Sequence, residues 1–297
     1  MDTFYSHGKL LLTGEYVVLD GVKALAIPTK YGQFLEVNPI DKNILIWKSI
    51  DNEGNIWFEH AFNPNDTNYN NPISQRIIEI ISAVKTLNSK FNPFGFEVTT
   101  TLEFPQDWGL GSSSTLINNI ANWANVDAFK LLELTFGGSG YDIACAQNNT
   151  PIIYSTNNNT PDVQQVIFNP SFIDNLYFIH LNKKQNSREG IARYKQNRDN
   201  SSHTFSKINT ITEQILNCTN LDEFEQLLTL HENIIANIIK LKPVKETMFH
   251  DYDGAIKSLG AWGGDFIIAT GNNLDTVANY FKSKGYHTII PYKDMII

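Results

Sequence analysis

The sequence predicts an α+β protein of two lobes, 1–168 and 169–297, and three observations carry that prediction. The first part is a series of short β-favouring runs broken by Gly, Asn and Asp. Helical and strand-like patterns then alternate up to a glycine-serine loop at 109–114, and the later part is mostly helical between short strands. In order, strands are expected at 9–13, 16–19, 32–38, 43–49 and 55–62. After the loop N-P-N-D-T-N-Y-N-N-P, Ile77, Ile78, Ile81 and Val84 recur at helical spacing within 73–87, and 94–104 alternates as a strand. Behind the glycine-serine loop, Leu116, Ile117, Ile120, Ala121 and Ala124 mark one apolar helix face. Strands at 151–154 and 163–168 flank an Asn-rich turn, S-T-N-N-N-T-P-D, and another strand follows at 176–181. The stretch 187–248 is mostly helical, with Pro243 near a helix start, and 265–270 and 287–291 return to strand character.

At 297 residues the chain can build either one large core or two lobes. A formal net charge of −8, with no long Lys/Arg run, argues against nucleic acid or an anionic membrane surface as the main partner. An anionic substrate would therefore need a local basic cluster. Two cysteines, Cys145 and Cys218, without a C-x-x-C pattern suggest neither a disulfide framework nor a zinc site. The N-terminus lacks a basic segment followed by a long apolar run, and no apolar stretch approaches the roughly 20 residues that span a bilayer. A soluble, cytoplasmic protein is expected.

The loop P-Q-D-W-G-L-G-S-S-S-T, 105–115, is the first candidate site. One serine there is explained by helix capping, but three are not. Hydroxyls and free N–H groups at a helix N-terminus suit phosphate oxygens, aided by the positive end of the helix dipole. Trp108 either faces a nucleotide or packs. No G-x-x-x-x-G-K-[ST] pattern occurs, which excludes a P-loop kinase.

Three further segments accompany this loop: H-G-K-L-L-L-T-G-E-Y-V-V-L-D-G at 7–21, G-G-S-G-Y-D-I-A-C-A-Q at 137–147 and K-S-L-G-A-W-G-G-D-F-I-I-A at 257–269. In order and spacing the four resemble the signatures of the GHMP kinase superfamily, named for galactokinase, homoserine kinase, mevalonate kinase and phosphomevalonate kinase. The resemblance runs through nearly the whole chain. It implies the two-lobed GHMP kinase fold, with an N-terminal lobe like ribosomal protein S5 and a ferredoxin-like C-terminal lobe. It also implies an ATP-dependent phosphotransferase using Mg2+ and a small-molecule acceptor, working as a monomer or homodimer.

Site residues carry over from the same motifs. Gly109, Leu110, Gly111, Ser112, Ser113 and Ser114 would cradle the triphosphate, with Ser113 helping to hold the metal and Ser112 and Ser114 capping the helix or touching phosphate. Glu133 is the nearest candidate for the family's carboxylate metal ligand. Asp142 matches the aspartate that orients or deprotonates the attacking group, and Lys9 matches the lysine that offsets charge there. His7 stands where the family has proline. Gly263 and Gly264 belong to a late turn that closes on the phosphate loop and the acceptor. Trp262 replaces a glycine in it, so either the loop bends differently or the indole lines the pocket or covers its edge.

G-E-Y-V-V-L-D-G, G-S-G-Y-D-I-A and G-G-D are similar to the phosphomevalonate kinase branch. A phosphorylated acceptor needs an anion site, and the basic stretch L-N-K-K-Q-N-S-R-E-G supplies Lys183, Lys184, Ser187 and Arg188, with Ser187 placed to cap the next helix. Tyr16 would shape the acceptor pocket. The alternatives are mevalonate kinase, then diphosphomevalonate decarboxylase or a non-catalytic relative.

Overall fold

The computed structural model describes residues 1–66, 69–158, 160–198 and 202–297. Residues 67, 68, 159 and 199–201, which fall in the two predicted Asn-rich loops and the predicted helical stretch, lie outside the described residues. The chain forms two compact units from interleaved segments. Unit 1 comprises Met1–Gly8, Tyr31–Gln106 and Leu110–Gln147, and unit 2 comprises Lys9–Lys30, Asp107–Gly109 and Asn148–Ile297. Residues 168–170, where the sequence suggested a boundary, lie inside unit 2.

Strands β1 (Asp2–Leu11) and β2 (Ala24–Pro39) each contribute to both units. In unit 1, β3 (Leu45–Ile50) pairs antiparallel with β4 (Ile56–Phe62). Helix α1 (Pro72–Leu87) follows, then β5 (Phe96–Leu102), which pairs parallel with β3 and antiparallel with β2 from Gln33 to Pro39. The period-2 pattern of β3 puts Leu45, Trp47 and Ser49 inward, as alternation across a pleated strand requires. Helices α2 (Ser112–Ala124), α3 (Ala128–Thr135) and α4 (Tyr141–Ala146) complete the unit. Leu35, Trp47, Phe62, Ile80, Ile120 and Leu131 share its hydrophobic core. Asn71 starts α1 by accepting from the Ile73 amide, with Pro72 at the first helical position, where its missing N–H costs nothing.

In unit 2, β6 (Ile152–Asn157) pairs antiparallel with Ala24–Ala26 of β2 and with β7 (Thr160–Gln165). A second sheet is built from β8 (Leu176–His180), then, after α5 (Ser187–Asn197), α6 (Ser202–Asn217), α7 (Leu221–Ile239) and α8 (Val244–Met248), from β9 (Ile256–Ser258) and β10 (Phe266–Thr270). Helix α9 (Leu274–Ser283) leads to β11 (Ile289–Pro291) and α10 (Tyr292–Met295). The order is β11-β8-β10-β9, antiparallel throughout. Every residue of β8 and β10 is buried, which explains their uninterrupted apolar runs.

The expected strand at 16–19 is instead a 3-10 turn, Val17–Asp20. The chain enters it at Tyr16 with φ 64° and leaves it at Gly21 with φ 82°. Val17 and Val18 are buried there, so their branched side chains serve the core rather than a ladder. No described helix is long and apolar enough to cross a membrane.

Candidate active site

The glycine-serine loop folds as a turn into α2. Gly109 and Gly111 both have positive φ, 68° and 89°, a region where a Cβ is strained. Gly111 is the helix N-cap, and no described side chain caps α2. The expected serine caps are therefore corrected: Ser114 is buried and its hydroxyl donates back to the Gly111 carbonyl at 2.8 Å. Ser113 is exposed and Ser112 half-buried, whereas the Leu110 side chain is wholly buried.

Helix α2 is pinned by polar residues that its apolar face did not announce. Thr115 Oγ1 donates to Gln33 Oε1 at 2.7 Å, and Asn119 Nδ2 donates to the Gln33 carbonyl at 2.8 Å. Ser6 Oγ donates to Asn119 Oδ1 at 2.7 Å and accepts from Asn118 Nδ2 at 2.9 Å. Satisfied buried networks of this kind fix one orientation of an element, here the helix whose start carries Ser112 and Ser113.

Within unit 2, Lys9 Nζ donates to the Gly109 carbonyl at 3.0 Å. The same glycine lies against Asp265, so a Cβ built on it would sit 2.4 Å from the Asp265 Cγ. Asp265 itself has φ 51°, and its Oδ1 accepts from the Gln185 amide at 3.0 Å. Burial raises the Asp265 carboxyl above its usual range, while the Gln185 N–H and the charges of Lys9, His180 and Lys184 pull it back. Asp265 was not among the expected site residues, although the final letter of G-A-W-G-G-D was its signal. Trp108 packs edge-on against Phe266, with ring centroids 5.4 Å apart, and His180 meets the Asp107 carbonyl at 3.1 Å.

The late turn bends through Gly260, at φ 62°, and Gly263, at φ 95°; Trp262 has no positive φ, so the indole is tolerated there. Trp262 is buried in an apolar cluster with Tyr16, Tyr194 and Ile208. Its backbone N–H donates to the Tyr16 hydroxyl at 3.1 Å. Gly190 permits this arrangement, since a Cβ there would lie 2.5 Å from the same hydroxyl. Gly264 runs against the Lys183 carbonyl, where a Cβ would approach to 2.5 Å. The late turn, Tyr16 and the start of the basic stretch are thus brought together in unit 2.

Ser187 does not cap α5. Asn186 does, its side chain accepting from the Arg188 amide at 3.1 Å, and Ser187 is the first helical residue. The extended backbone of Asn186 and its short carboxamide satisfy the cap before Ser187 is reached. Lys183, Lys184, Ser187 and Arg188 are all exposed. Farther along, Tyr194 donates to Asp20, which Arg198 also binds at 2.9 Å.

In unit 1, Asp142 lies half-buried in the first turn of α4, whose N-cap Gly140 has φ 90° and whose start no described side chain caps. Glu133 is exposed near the end of α3. Tyr5 and His7 form an edge-on pair, with ring centroids 4.9 Å apart. Among the described residues no three His, Cys, Asp or Glu side chains form a metal cage. Magnesium held largely by triphosphate oxygens needs few protein ligands, and the exposed Ser113 hydroxyl is a hard oxygen donor of the right kind.

No family model matches the sequence, and no curated protein matches it. Solved structures do match in shape. Mevalonate kinase from Methanococcus jannaschii is 16% identical over 97% of this chain and 96% of its own, with a TM-score of 0.71. Phosphomevalonate kinase from Streptococcus pneumoniae, in complex with phosphomevalonate and AMPPNP, is 18% identical over 96% of this chain and 98% of its own, at 0.73. Galactokinase from Lactococcus lactis, complexed with galactose, is 16% identical over 96% and 88%, at 0.65. With likeness spanning nearly the whole chain, and the four motifs in order along it, the protein is built on the GHMP kinase fold.

Proposed function

We propose that the protein is an ATP-dependent small-molecule kinase that transfers the γ-phosphoryl group of ATP to phosphomevalonate. The observation that carries this reading is the start of α2. Its cap is a glycine, its first-turn amides have no side-chain cap among the described residues, and Ser113 is exposed beside them. Free amides at the positive end of a helix dipole suit a polyphosphate. Lys9 donates to the Gly109 carbonyl, two residues before that cap in the sequence, and so occupies one acceptor of the loop.

In the transfer, an acceptor oxygen attacks the γ-phosphorus, the bond to the β–γ bridging oxygen breaks, and ADP leaves with that electron pair. The amides of Gly111 to Ser114 would bind the triphosphate and Ser113 would contribute to the magnesium site. Bound magnesium supplies charge neutralisation at the phosphates. Asp142 would orient the acceptor oxygen, and Lys9 would balance negative charge as it builds. For phosphomevalonate the attacking oxygen belongs to a phosphate, whose second pKa is about 6, so it arrives without a proton that must be removed. Lys184, Ser187 and Arg188 would hold this phosphorylated acceptor, with Tyr16 and the turn at Gly263 and Gly264 bounding it. The G-E-Y-V-V-L and G-S-G-Y-D-I-A motifs support that acceptor, and a cytoplasmic setting suits an ATP-dependent step.

An ADP-release assay with phosphomevalonate, mevalonate, homoserine and galactose, each with and without magnesium, tests the proposal. Magnesium-dependent turnover with phosphomevalonate as the preferred acceptor is expected. Preference for mevalonate would move the assignment to the alcohol, and silence across the panel would remove the kinase reading.

A further inference from the structure

Four ionisable side chains that the proposed reaction does not use meet in the interior of unit 2, with Glu15 next in sequence to Tyr16. Glu15, Lys257, Glu232 and His231 are 1%, 0%, 2% and 0% exposed. Lys257 Nζ donates to Glu15 Oε1, and to the Ser258 carbonyl at 2.8 Å. The Ser258 amide donates to both oxygens of Glu232, at 3.2 and 3.1 Å, and the Ser258 hydroxyl donates to Oε1 at 2.9 Å. His231 Nε2 accepts from the Gly14 amide at 2.9 Å, which places the ring proton on Nδ1. Glu15 Oε2 lies 3.5 Å from that nitrogen and is buried without a hydrogen-bond partner among the described residues. The imidazole is not a counter-ion: burial, with the nearby Lys257 charge adding to it, holds its pKa well below the usual range.

The charges then fail to balance. One ammonium faces two carboxylates in a dry interior, and an unpaired buried charge there is costly. Glu15 Oε2 supplies an oxygen that no donor serves, which is where a proton is accommodated without breaking a hydrogen bond. The titratable groups facing the two carboxyls among the described residues are Lys257 from β9, His231 on α7 and the Tyr16 phenol next to Glu15, and the two carboxyls also face each other. Of the other helices on α7, α6 brings Thr212 to Thr13 while its Glu213 is engaged by Lys23, and Tyr194 of α5 is engaged by Asp20.

We propose that Glu15 and Glu232 hold one proton between them around Lys257, and that this proton closes a clamp tying the G-E-Y turn to β9, the strand that leads into the glycine turn at 260–264. Glu232 and Glu15 are then positioning residues for that turn, and loss of the proton above neutral pH loosens it. Burial raises both carboxyls, each to about 7, against the lowering effect of Lys257. Coupled groups of this kind titrate as a pair. A raised folded-state pKa gives stability that is fully present below the ordinary carboxylate value and lost as pH rises through about 7.

The test compares wild type with Glu232→Gln and Glu15→Gln, each of which removes one acid and keeps the shape. In urea unfolding, the wild-type unfolding constant should rise by up to about tenfold per pH unit between about pH 5 and 7, relative to either variant. Wild type should also show a protonated-carboxyl infrared band at pH 6 that disappears by pH 8, whereas both variants lack it. Variants that keep the wild-type pH slope, or a wild type without the band at pH 6, would overturn the shared proton. The clamp's effect on catalysis rests on the kinase reading: kcat/KM should fall above pH 7 in wild type and stay flatter in Glu232→Gln, and equal profiles would overturn the positioning role. If no acceptor is phosphorylated, the kinase reading fails alone, because unfolding and infrared still decide the proton.

Discussion

At the scale of single residues, Gly109 and Gly54 separate two causes of strain. Both have positive φ, 68° and 87°, but a Cβ at Gly109 meets the Asp265 carboxylate at 2.4 Å while one at Gly54 meets nothing within 4 Å. Gly54→Ala should cost only the left-handed backbone term, about 1 kcal/mol. Gly109→Ala adds the collision and should cost about 2–3 kcal/mol, while weakening nucleotide binding; urea denaturation and nucleotide titration read the two effects. Equal costs for the two variants would mean that Asp265 yields freely. Asp142 gives a second test. If the acceptor oxygen carries a proton that must leave, Asp142→Asn should lose turnover as heavily as Asp142→Ala, by at least about a hundredfold. With a phosphate acceptor the carboxamide still positions, so Asp142→Asn should retain clearly more activity than Asp142→Ala, with nucleotide affinity unchanged in both.

At the scale of elements, helix starts decide how the candidate site is presented. Asn186→Ala removes the cap of α5 and should destabilise that helix by about 1 kcal/mol, seen as faster amide exchange across Ser187–Asn197. Ser187→Ala should leave that exchange unchanged and raise KM for a phosphorylated acceptor; faster exchange instead would make Ser187 the cap. The sequence made α1, β3 to β5, β8, β10 and β11 readable, α1 and β3 because helical and period-2 patterns match their burial and β8 and β10 because they are continuous apolar runs buried throughout. The three-residue β9 had no expected counterpart. It placed β7 late, at 163–168 rather than Thr160–Gln165, because five of that strand's six residues are exposed or polar and carry no pattern. Helices α3 and α9 had no expected counterpart; each is short and is started by an asparagine or aspartate, Asp127 and Asn273, that also reads as a loop. The turn at Val17–Asp20 defeated propensity because burial, not pairing, selected its valines. Of the candidate site, the glycines and Lys9 were legible from motifs. The partly buried pair of Asp265 and Gln185 is separated by 80 residues, and no local pattern encodes such a contact.

At the scale of the whole molecule, the interleaving of segments sets what can fold alone. A cut at the sequence-level boundary leaves 169–297 with all four strands of the β11-β8-β10-β9 sheet and with α5 to α10. It also removes Lys9–Lys30, which belongs to the same unit. His231 then loses the Gly14 amide, Lys257 loses Glu15, Thr212 loses Thr13 and Trp262 loses the Tyr16 hydroxyl. Tyr16, Val17 and Val22 also leave the apolar cluster that packs α5, α6 and α7. Each loss leaves either a buried polar group unpaired or a cavity, and each mechanism alone costs about 1–5 kcal/mol. Their sum is comparable to the 5–15 kcal/mol that stabilises a typical domain. The fragment 169–297 should therefore show helical far-UV dichroism but a broad, weakly cooperative urea transition and little near-UV signal. A sharp transition with native-like near-UV dichroism would show that the 9–30 segment is dispensable to this unit, and that its contacts add little to the fold they complete.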